Sequence, residues 1–173
     1  SKLASEHFLR LASIEGLSCT SLRFFSVYGP GQNLDNLRQG MASIYLAYLL
    51  RGVEVPVTGS LDRFRDLVYV SDCVDALIRC LDVTSTPSAV YNVAGGRRTT
   101  VRELLALLIE ASGLPSSHPI RELAGSANDQ FGMQADIALI ERELGWRPST
   151  PMAGGIAAMV DWARGVSESV AAT

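Results

Sequence analysis

Two positively charged side chains, Lys2 and Arg65, stand in sequence contexts that can support chemistry. Lys2 is the second residue of the segment Ser-Lys-Leu-Ala-Ser-Glu. This segment resembles the end of a Tyr-x-x-x-Lys motif, with the tyrosine before Ser1. A tyrosine and a lysine at this spacing share one helix face, so the ammonium group lowers the phenol pKa from about 10. Such a phenol can act as a general acid and base. Lys2 is therefore the candidate catalytic residue, and the alternative is an exposed surface lysine.

Arg65 opens the segment Arg-Asp-Leu-Val-Tyr-Val. A guanidinium group presents paired donors that match a phosphate, which a lysine cannot do. The alternative is a surface ion pair in which Arg65 or the nearby Arg63 faces a carboxylate. Asp62 and Asp66 are the two candidates for that pair. We interpret Asp66 and Asp72 as residues that cap and orient rather than catalyse.

Composition and charge exclude several classes of protein. The 173 residues are 47% hydrophobic and 19% charged, which allows a buried core in one domain or two small lobes. The net charge is −3 and the lysines and arginines are scattered, so no nucleic-acid partner is expected. The apolar stretches 41–50 and 104–109 are far shorter than the roughly 18 to 20 residues that span a bilayer, so no membrane association is expected.

The cysteines and histidines indicate neither disulfides nor a metal site. The chain has three cysteines, an odd number, and each lies among apolar neighbours: Cys19, Cys73 and Cys80. This pattern is typical of buried free thiols. A reducing cytoplasm is the expected location. His7 and His118 lie far apart with no third ligand type nearby, so no metal ligands are predicted.

Helices and strands alternate along the chain. Apolar periodicity and capping signals predict helices at about 2–15, 39–51, 71–82, 100–112, 137–144 and from Pro151 onward. Strands are predicted at 19–27, 53–57, 67–70, 89–94 and 119–123. The predicted caps are Gly16, the capping box of Thr100 with Glu103, Ser71 or Asp72, and Asp136. This alternation predicts an α/β domain with a mainly parallel sheet.

The sequence contains no glycine-rich phosphate-binding turn. Such a turn joins the first strand and helix of a dinucleotide-binding domain, where backbone amides approach a pyrophosphate. Gly29-Pro30-Gly31 lacks an amide at Pro30, and Gly95-Gly96 is separated from the next helix by Arg97-Arg98-Thr99-Thr100. Both are interpreted as plain turns, with Arg97 and Arg98 as solvated turn residues.

Several short segments follow one another along nearly the whole chain. They are Ser1–Glu6, Leu22–Gln32 (LRFFSVYGPGQ), Arg65–Asp72 (RDLVYVSD), Tyr91–Gly96 (YNVAGG), Ala135-Asp136, Leu144–Pro148 (LGWRP), Gly155-Ile156 and Trp162. In this order they resemble the extended short-chain dehydrogenase/reductase family, the NAD-dependent nucleotide-sugar epimerases and dehydratases, and in particular its UDP-glucose 4-epimerase-like members. The family's N-terminal half, with its glycine-rich turn, catalytic serine or threonine and tyrosine, has no counterpart in the sequence.

The resemblance implies the C-terminal part of a Rossmann-type parallel sheet with a small α/β substrate-binding lobe. Residues 1–30 and 67–113 would contribute to the Rossmann part. Residues 31–66 and 114–173 would form mainly the substrate-binding lobe.

The resemblance also implies site residues. Lys2 would hold the nicotinamide ribose besides acting with the tyrosine, and Phe25, Ser26 and Val27 would approach the cofactor. Arg65 would hold the nucleotide diphosphate. Ser26 stands where the family commonly has a substrate-binding asparagine, and its hydroxyl keeps one donor for the substrate.

A second departure from the family precedes Ala135-Asp136. Asp129 falls on the aspartate of the family's Arg-x-Gly-Asp segment, so Ser126 stands where a second phosphate-binding arginine is usual. Three interpretations stay open: Arg121 reaches in from the preceding strand, the substrate carries less charge there, or the enzyme is atypical. Arg121 is therefore kept as a candidate substrate-binding residue.

As a whole, the resemblance implies an NAD(P)-dependent nucleotide-sugar epimerase that acts through transient oxidation at sugar C4, with NAD, or else NADP, as cofactor. The alternatives are a 4,6-dehydratase or decarboxylase of the same family, or a non-catalytic sugar-nucleotide-binding module. The chain by itself is expected to be inactive, because it lacks the tyrosine. A homodimer is expected, because the helix that carries this lysine lines a dimer interface in the family.

Overall fold

Six helices and eight strands are described for this chain. A computed structural model describes residues 2–38, 40–83, 85–86, 89–125 and 130–171. The helices are α1 (Lys2–Ile14), α2 (Met41–Leu50), α3 (Val70–Leu81), α4 (Val101–Ala111), α5 (Ala138–Leu144) and α6 (Met152–Ala171). The strands are β1 (Ser21–Phe24), β2 (Ser26–Tyr28), β3 (Val55–Thr58), β4 (Phe64–Arg65), β5 (Leu67–Tyr69), β6 (Val90–Val93), β7 (Thr99–Thr100) and β8 (Ile120–Leu123).

The described strands pair mainly in parallel. β1 pairs with β6, β2 with β5 and β3 with β8, and each of these pairs is parallel. The short strands β4 and β7 form an antiparallel pair that the sequence did not predict. The predicted α/β class with mainly parallel strands is confirmed. The predicted start of α2 at Gln39 lies outside the described residues.

The strand predicted at 19–27 is interrupted at Phe25. The Phe25 amide donates to the carbonyl of Val93 at 3.0 Å, whereas the Ser26 amide donates to the carbonyl of Asp66 at 3.1 Å. The Val27 amide then closes a tight turn onto the carbonyl of Phe25 at 2.9 Å. The chain therefore changes its partner at Phe25, from β6 to β5.

Local capping signals were predicted well at two helix ends, whereas the cap predicted at Asp136 is displaced, because the N-cap residue of α5 is Ile137. Gly16 ends α1 at a φ of 95°, and the amide of Leu17 donates back to Ala12, as in a Schellman motif. The capping box predicted at the start of α4 is present. Asp136 accepts a hydrogen bond from the Ala138 amide at 2.8 Å, directly at the start of α5.

The prediction that Ser71 or Asp72 caps α3 is wrong. The helix begins at Val70, and its N-cap residue makes no side-chain capping bond. The buried Asp72 carboxylate instead accepts hydrogen bonds from the Ser149 amide at 3.0 Å and hydroxyl at 2.9 Å, and from the Thr150 amide at 3.3 Å. A buried charge needs several donors, and here a loop that is distant in sequence supplies them. Asp72 therefore holds that loop in place.

Two clusters of buried side chains support this arrangement. The main core lies among α2, α4 and α6 and is centred on residues such as Leu46, Leu104 and Met159. This core joins α4, from the predicted Rossmann part, to α2 and α6, from the predicted substrate-binding lobe. A second cluster between α3, α5 and β6 contains Tyr91 and Trp146. Among the described residues, none of the helices is long and apolar enough to cross a membrane.

Neighbouring glycines in α6 provide a test of the main core. A Cβ at Gly155 would lie 2.6 Å from the Tyr28 hydroxyl and 2.8 Å from the Tyr69 ring, whereas a Cβ at Gly154 meets nothing within 4 Å. We expect Gly155→Ala to lower the free energy of unfolding by about 1–3 kcal/mol, because the packed rings must move. Gly154→Ala should raise it by about 0.5–1 kcal/mol through helix propensity. Urea unfolding of both variants measures this, and equal effects would contradict the described packing.

Candidate active site

The predicted cofactor segment lies beside the strand that follows the predicted phosphate-binding arginine in the chain. Ser26 is in register with Leu67, and its amide donates to the carbonyl of Asp66 at 3.1 Å. Phe25–Val27 therefore runs beside the segment that contains Arg65. Ser26 and Arg65 are both partly buried, so each keeps some access to solvent.

Asp66 organises this part of the site. It is 1% exposed, and its Oδ2 accepts a hydrogen bond from the Ala135 amide at 3.0 Å. Burial raises the pKa of Asp66 above its ordinary value, while the amides of Ala135 and the turn 95–97 oppose that shift. The turn comes close because Gly95 has no side chain: a Cβ there would lie 2.2 Å from the Leu67 carbonyl oxygen. Asp66 thus orients, as predicted.

Arg65 does not make the surface ion pair considered as the alternative. Its Nη1 donates to the carbonyl of Phe64 at 2.8 Å and to the carbonyl of Gln130 at 3.2 Å. Asp62 instead faces Arg102 at 3.4 Å. The other guanidinium nitrogens of Arg65 have no hydrogen-bond partner among the described residues, so they keep donors that an anionic ligand can use.

An aromatic and cationic cluster beside Arg65 was missed by the sequence analysis. The Arg98 guanidinium lies 4.8 Å from the centroid of the Phe64 ring, which meets Phe131 edge-on at 6.1 Å. Arg98 also donates to Gln134 at 3.1 Å. Arg97 reaches the Met152 sulfur at 3.8 Å. Both arginines are exposed as expected, yet they are engaged by neighbours that are distant in sequence.

Lys2 lies in the first turn of α1 and is exposed. It lines an open cleft of about 470 Å³ between α1 and β1, together with Glu6, Leu9 and Phe24. Its ammonium group has no hydrogen-bond or ion-pair partner among the described residues. The structure therefore leaves Lys2 accessible, in a cleft shared with Phe24, the residue before the predicted cofactor segment Phe25–Val27.

Arg121 lies apart from Arg65, on the β3–β8 pair. Its Nε is 2.9 Å from a carboxylate oxygen of Glu54, and the two side chains are 63% and 43% exposed. Surface pairs of this kind contribute about 0–1 kcal/mol, so the pair does not prevent Arg121 from turning to another anion. The departures at Ser126 and Asp129 lie outside the described residues.

Comparison with known proteins identifies the family. The family described as "NAD dependent epimerase/dehydratase family" matches residues 1–94, more than half of the chain. The chain belongs to the NAD-dependent epimerase/dehydratase family. Relatives of this epimerase/dehydratase chain include the dTDP-4-dehydro-6-deoxyglucose reductase of Escherichia coli, which is 30% identical over 162 residues, 90% of this chain and 48% of the relative.

Two solved epimerases share the fold. The UDP-glucose 4-epimerase of Thermotoga maritima with UDP-glucose is 30% identical with a TM-score of 0.86, covering 95% of this chain and 52% of that one. The UDP-glucose 4-epimerase of Thermus thermophilus in complex with NAD is 30% identical with a TM-score of 0.80, covering 94% and 52%. The epimerase/dehydratase chain thus spans about half the length of these relatives. The predicted family and the Rossmann-type fold are confirmed, and the family is described as NAD dependent, as predicted.

The raised pKa of Asp66 makes a prediction about stability and pH. The folded chain binds the proton of the Asp66 carboxyl group more tightly than the unfolded chain does. Asp66 therefore favours folding most at low pH, and less as pH rises above about 4. The difference in unfolding free energy between wild type and Asp66→Asn should therefore shrink with rising pH. Urea unfolding from about pH 4 to pH 8 measures it.

Glu103 provides a control of opposite sign. Hydrogen bonds from the Thr100 amide and hydroxyl lower its pKa. Its contribution to folding is therefore lost as pH falls, and the difference between wild type and Glu103→Gln should grow with rising pH. A difference for Asp66→Asn that also grows would contradict the direction assigned to Asp66.

Proposed function

We propose that this chain is the C-terminal part of an NAD-dependent nucleotide-sugar epimerase that acts through transient oxidation at sugar C4. The observation that carries the proposal is Arg65, which keeps free donors among the described residues and directly precedes Asp66, whose carbonyl accepts from the Ser26 amide. A phosphate-binding group next to a cofactor-approaching strand suits a substrate that carries a diphosphate. The likeness to two UDP-glucose 4-epimerases supports the choice of reaction.

The cofactor side of the site is assigned to α1 and to the break between β1 and β2. A bound NAD would supply reversible hydride transfer with C4 of the sugar, and these residues would hold it. Lys2 fits a role at its ribose, because the ammonium group is unpaired among the described residues and lines an open cleft. The same charge would lower the pKa of a tyrosine four positions earlier in the full-length protein. The backbone of Phe25–Val27 would line the nicotinamide.

The substrate side is assigned to Ser26, Arg65 and Arg121. Arg65 would bind the diphosphate through the donors that its two carbonyl contacts leave free. Ser26 would donate one hydrogen bond to the sugar or phosphate. Arg121 would supply a second cation by leaving its exposed pair with Glu54. Residues 31–66 and 114–173 would form most of the substrate-binding lobe, and the remainder would belong to the Rossmann part.

A homodimer is part of this proposal. Helix α1 buries none of its described residues and exposes Leu3, Phe8, Leu11 and Ile14, each more than half. Apolar side chains on one helix are suited to a protein contact. The second copy would place its own α1 there, as the family resemblance implies.

The reaction is tested with the full-length protein and a panel of UDP-, dTDP- and GDP-sugars. We expect interconversion of C4 epimers without net formation of NADH, and Lys2→Met should lower turnover by about 100-fold or more because it removes the charge beside the tyrosine. Product analysis by NMR distinguishes the alternatives. A 4-keto-6-deoxy product would identify a dehydratase, and loss of carbon dioxide a decarboxylase. Sugar-nucleotide binding without turnover would identify a non-catalytic module.

Arg65 is tested by nucleotide binding. We expect Arg65→Met to weaken UDP binding by about 10- to 100-fold, since one or two charge-assisted hydrogen bonds are lost. Isothermal titration calorimetry on the full-length protein measures it. Arg102→Met is the matched control, because Arg102 is an exposed arginine paired with Asp62. Equal binding by wild type and Arg65→Met would remove Arg65 from the substrate site.

A further inference from the structure

Glu6 and Arg23 join helix α1 to strand β1. The Arg23 Nε donates to one carboxylate oxygen of Glu6 at 2.8 Å, and its Nη2 donates to the other at 2.7 Å. Both oxygens are therefore occupied by one guanidinium group in a bidentate pair. The Arg23 hydrogen bonds hold the pKa of Glu6 below its ordinary value, so the carboxylate stays charged at neutral pH.

Little else in the described structure fixes α1 to the sheet. None of the residues described in the helix is buried. Two open clefts of about 500 and 470 Å³ lie between α1 and β1, and both are lined by Glu6 and Arg23. The pair thus joins α1 to β1 across these clefts and constrains how far α1 stands from β1.

The two partners connect the predicted catalytic lysine with the predicted cofactor segment. Glu6 lies one helical turn after Lys2, on the same face of α1. Arg23 lies on β1, directly before the break at Phe25. We propose that Glu6 and Arg23 are positioning residues, which hold Lys2 at a set distance from Phe25–Val27; this inference rests on the proposed function of Lys2.

Arg23 has a second consequence for Lys2. A carboxylate and an ammonium group one turn apart on a helix attract each other. Because Arg23 binds both oxygens of Glu6 and balances its charge, the carboxylate attracts Lys2 less strongly than it would alone. Loss of Arg23 alone would release Glu6 to capture the ammonium group. Loss of both Arg23 and Glu6 would remove the ion pair, but it would also remove the carboxylate that could capture the ammonium group of Lys2.

The test measures turnover of the full-length protein with its best nucleotide sugar. We expect Arg23→Met to lower kcat by about 10- to 100-fold, because a small displacement of a positioned group has effects of this size, with KM within about twofold. Glu6→Gln should lower kcat less, and the double variant Glu6→Gln with Arg23→Met should recover part of the loss of Arg23→Met. The matched control is Asp75→Asn, which breaks a 2.8 Å ion pair with Arg79 inside α3 and should leave kcat unchanged.

A double-mutant cycle with Lys2→Met separates positioning from a general loss of structure. If the pair acts through Lys2, Arg23→Met lowers kcat in wild type but has no further effect in the Lys2→Met background. An equal loss in both backgrounds would overturn the inference, as would an unchanged kcat in Arg23→Met while Lys2→Met is impaired. Full activity of Lys2→Met would instead refute the proposed role of Lys2, and the inference with it.

Discussion

The buried carboxylate of Asp66 is the interaction on which the substrate side of this structure depends. A charge with 1% exposure is costly unless several donors surround it, and here they come from segments far apart in sequence. The Ala135 amide donates to Oδ2, the amides of the turn 95–97 lower the pKa of the carboxyl group, and the backbone carbonyl of Asp66 accepts from Ser26, while Oδ1 has no hydrogen-bond partner among the described residues. Each of these segments must close on Asp66 for the charge to be tolerated. Arg65, as its neighbour, is placed as a consequence.

Asp72 repeats this principle at the other end of β5. Its carboxylate accepts from Ser149 and Thr150, and its carbonyl accepts from the Trp146 indole. Asp66 binds the chain just before α5 and Asp72 binds it just after. The two aspartates therefore hold both ends of one segment, Asp66 from just before β5 and Asp72 from the first turn of α3. Both carboxylates thus accept backbone amides from segments distant in sequence, which is a structural role.

The sequence predicted features that are decided locally and missed those that are decided by distant neighbours. The C-cap at Gly16 and the capping box of Thr100 with Glu103 depend on residues within one or two turns, and both were correct. The strand break at Phe25 depends on competition between β5 and β6, which no local pattern encodes. Likewise, Arg98 meets Phe64 only because β4 and β7 pair, so its stacking could not be predicted from a turn sequence.

The two sides of the candidate site are held by different physical means. Arg65 is placed by the hydrogen bonds around the buried Asp66, and salt screens buried interactions only weakly. Lys2 rests on a helix without buried residues, joined to the sheet by an ion pair whose arginine side chain is 49% exposed. Exposed pairs are screened by salt and lose strength when the carboxylate is protonated. In the chain as described, ionic strength and acid should therefore affect the placement of α1 before they affect Asp66 and the segments bound to it.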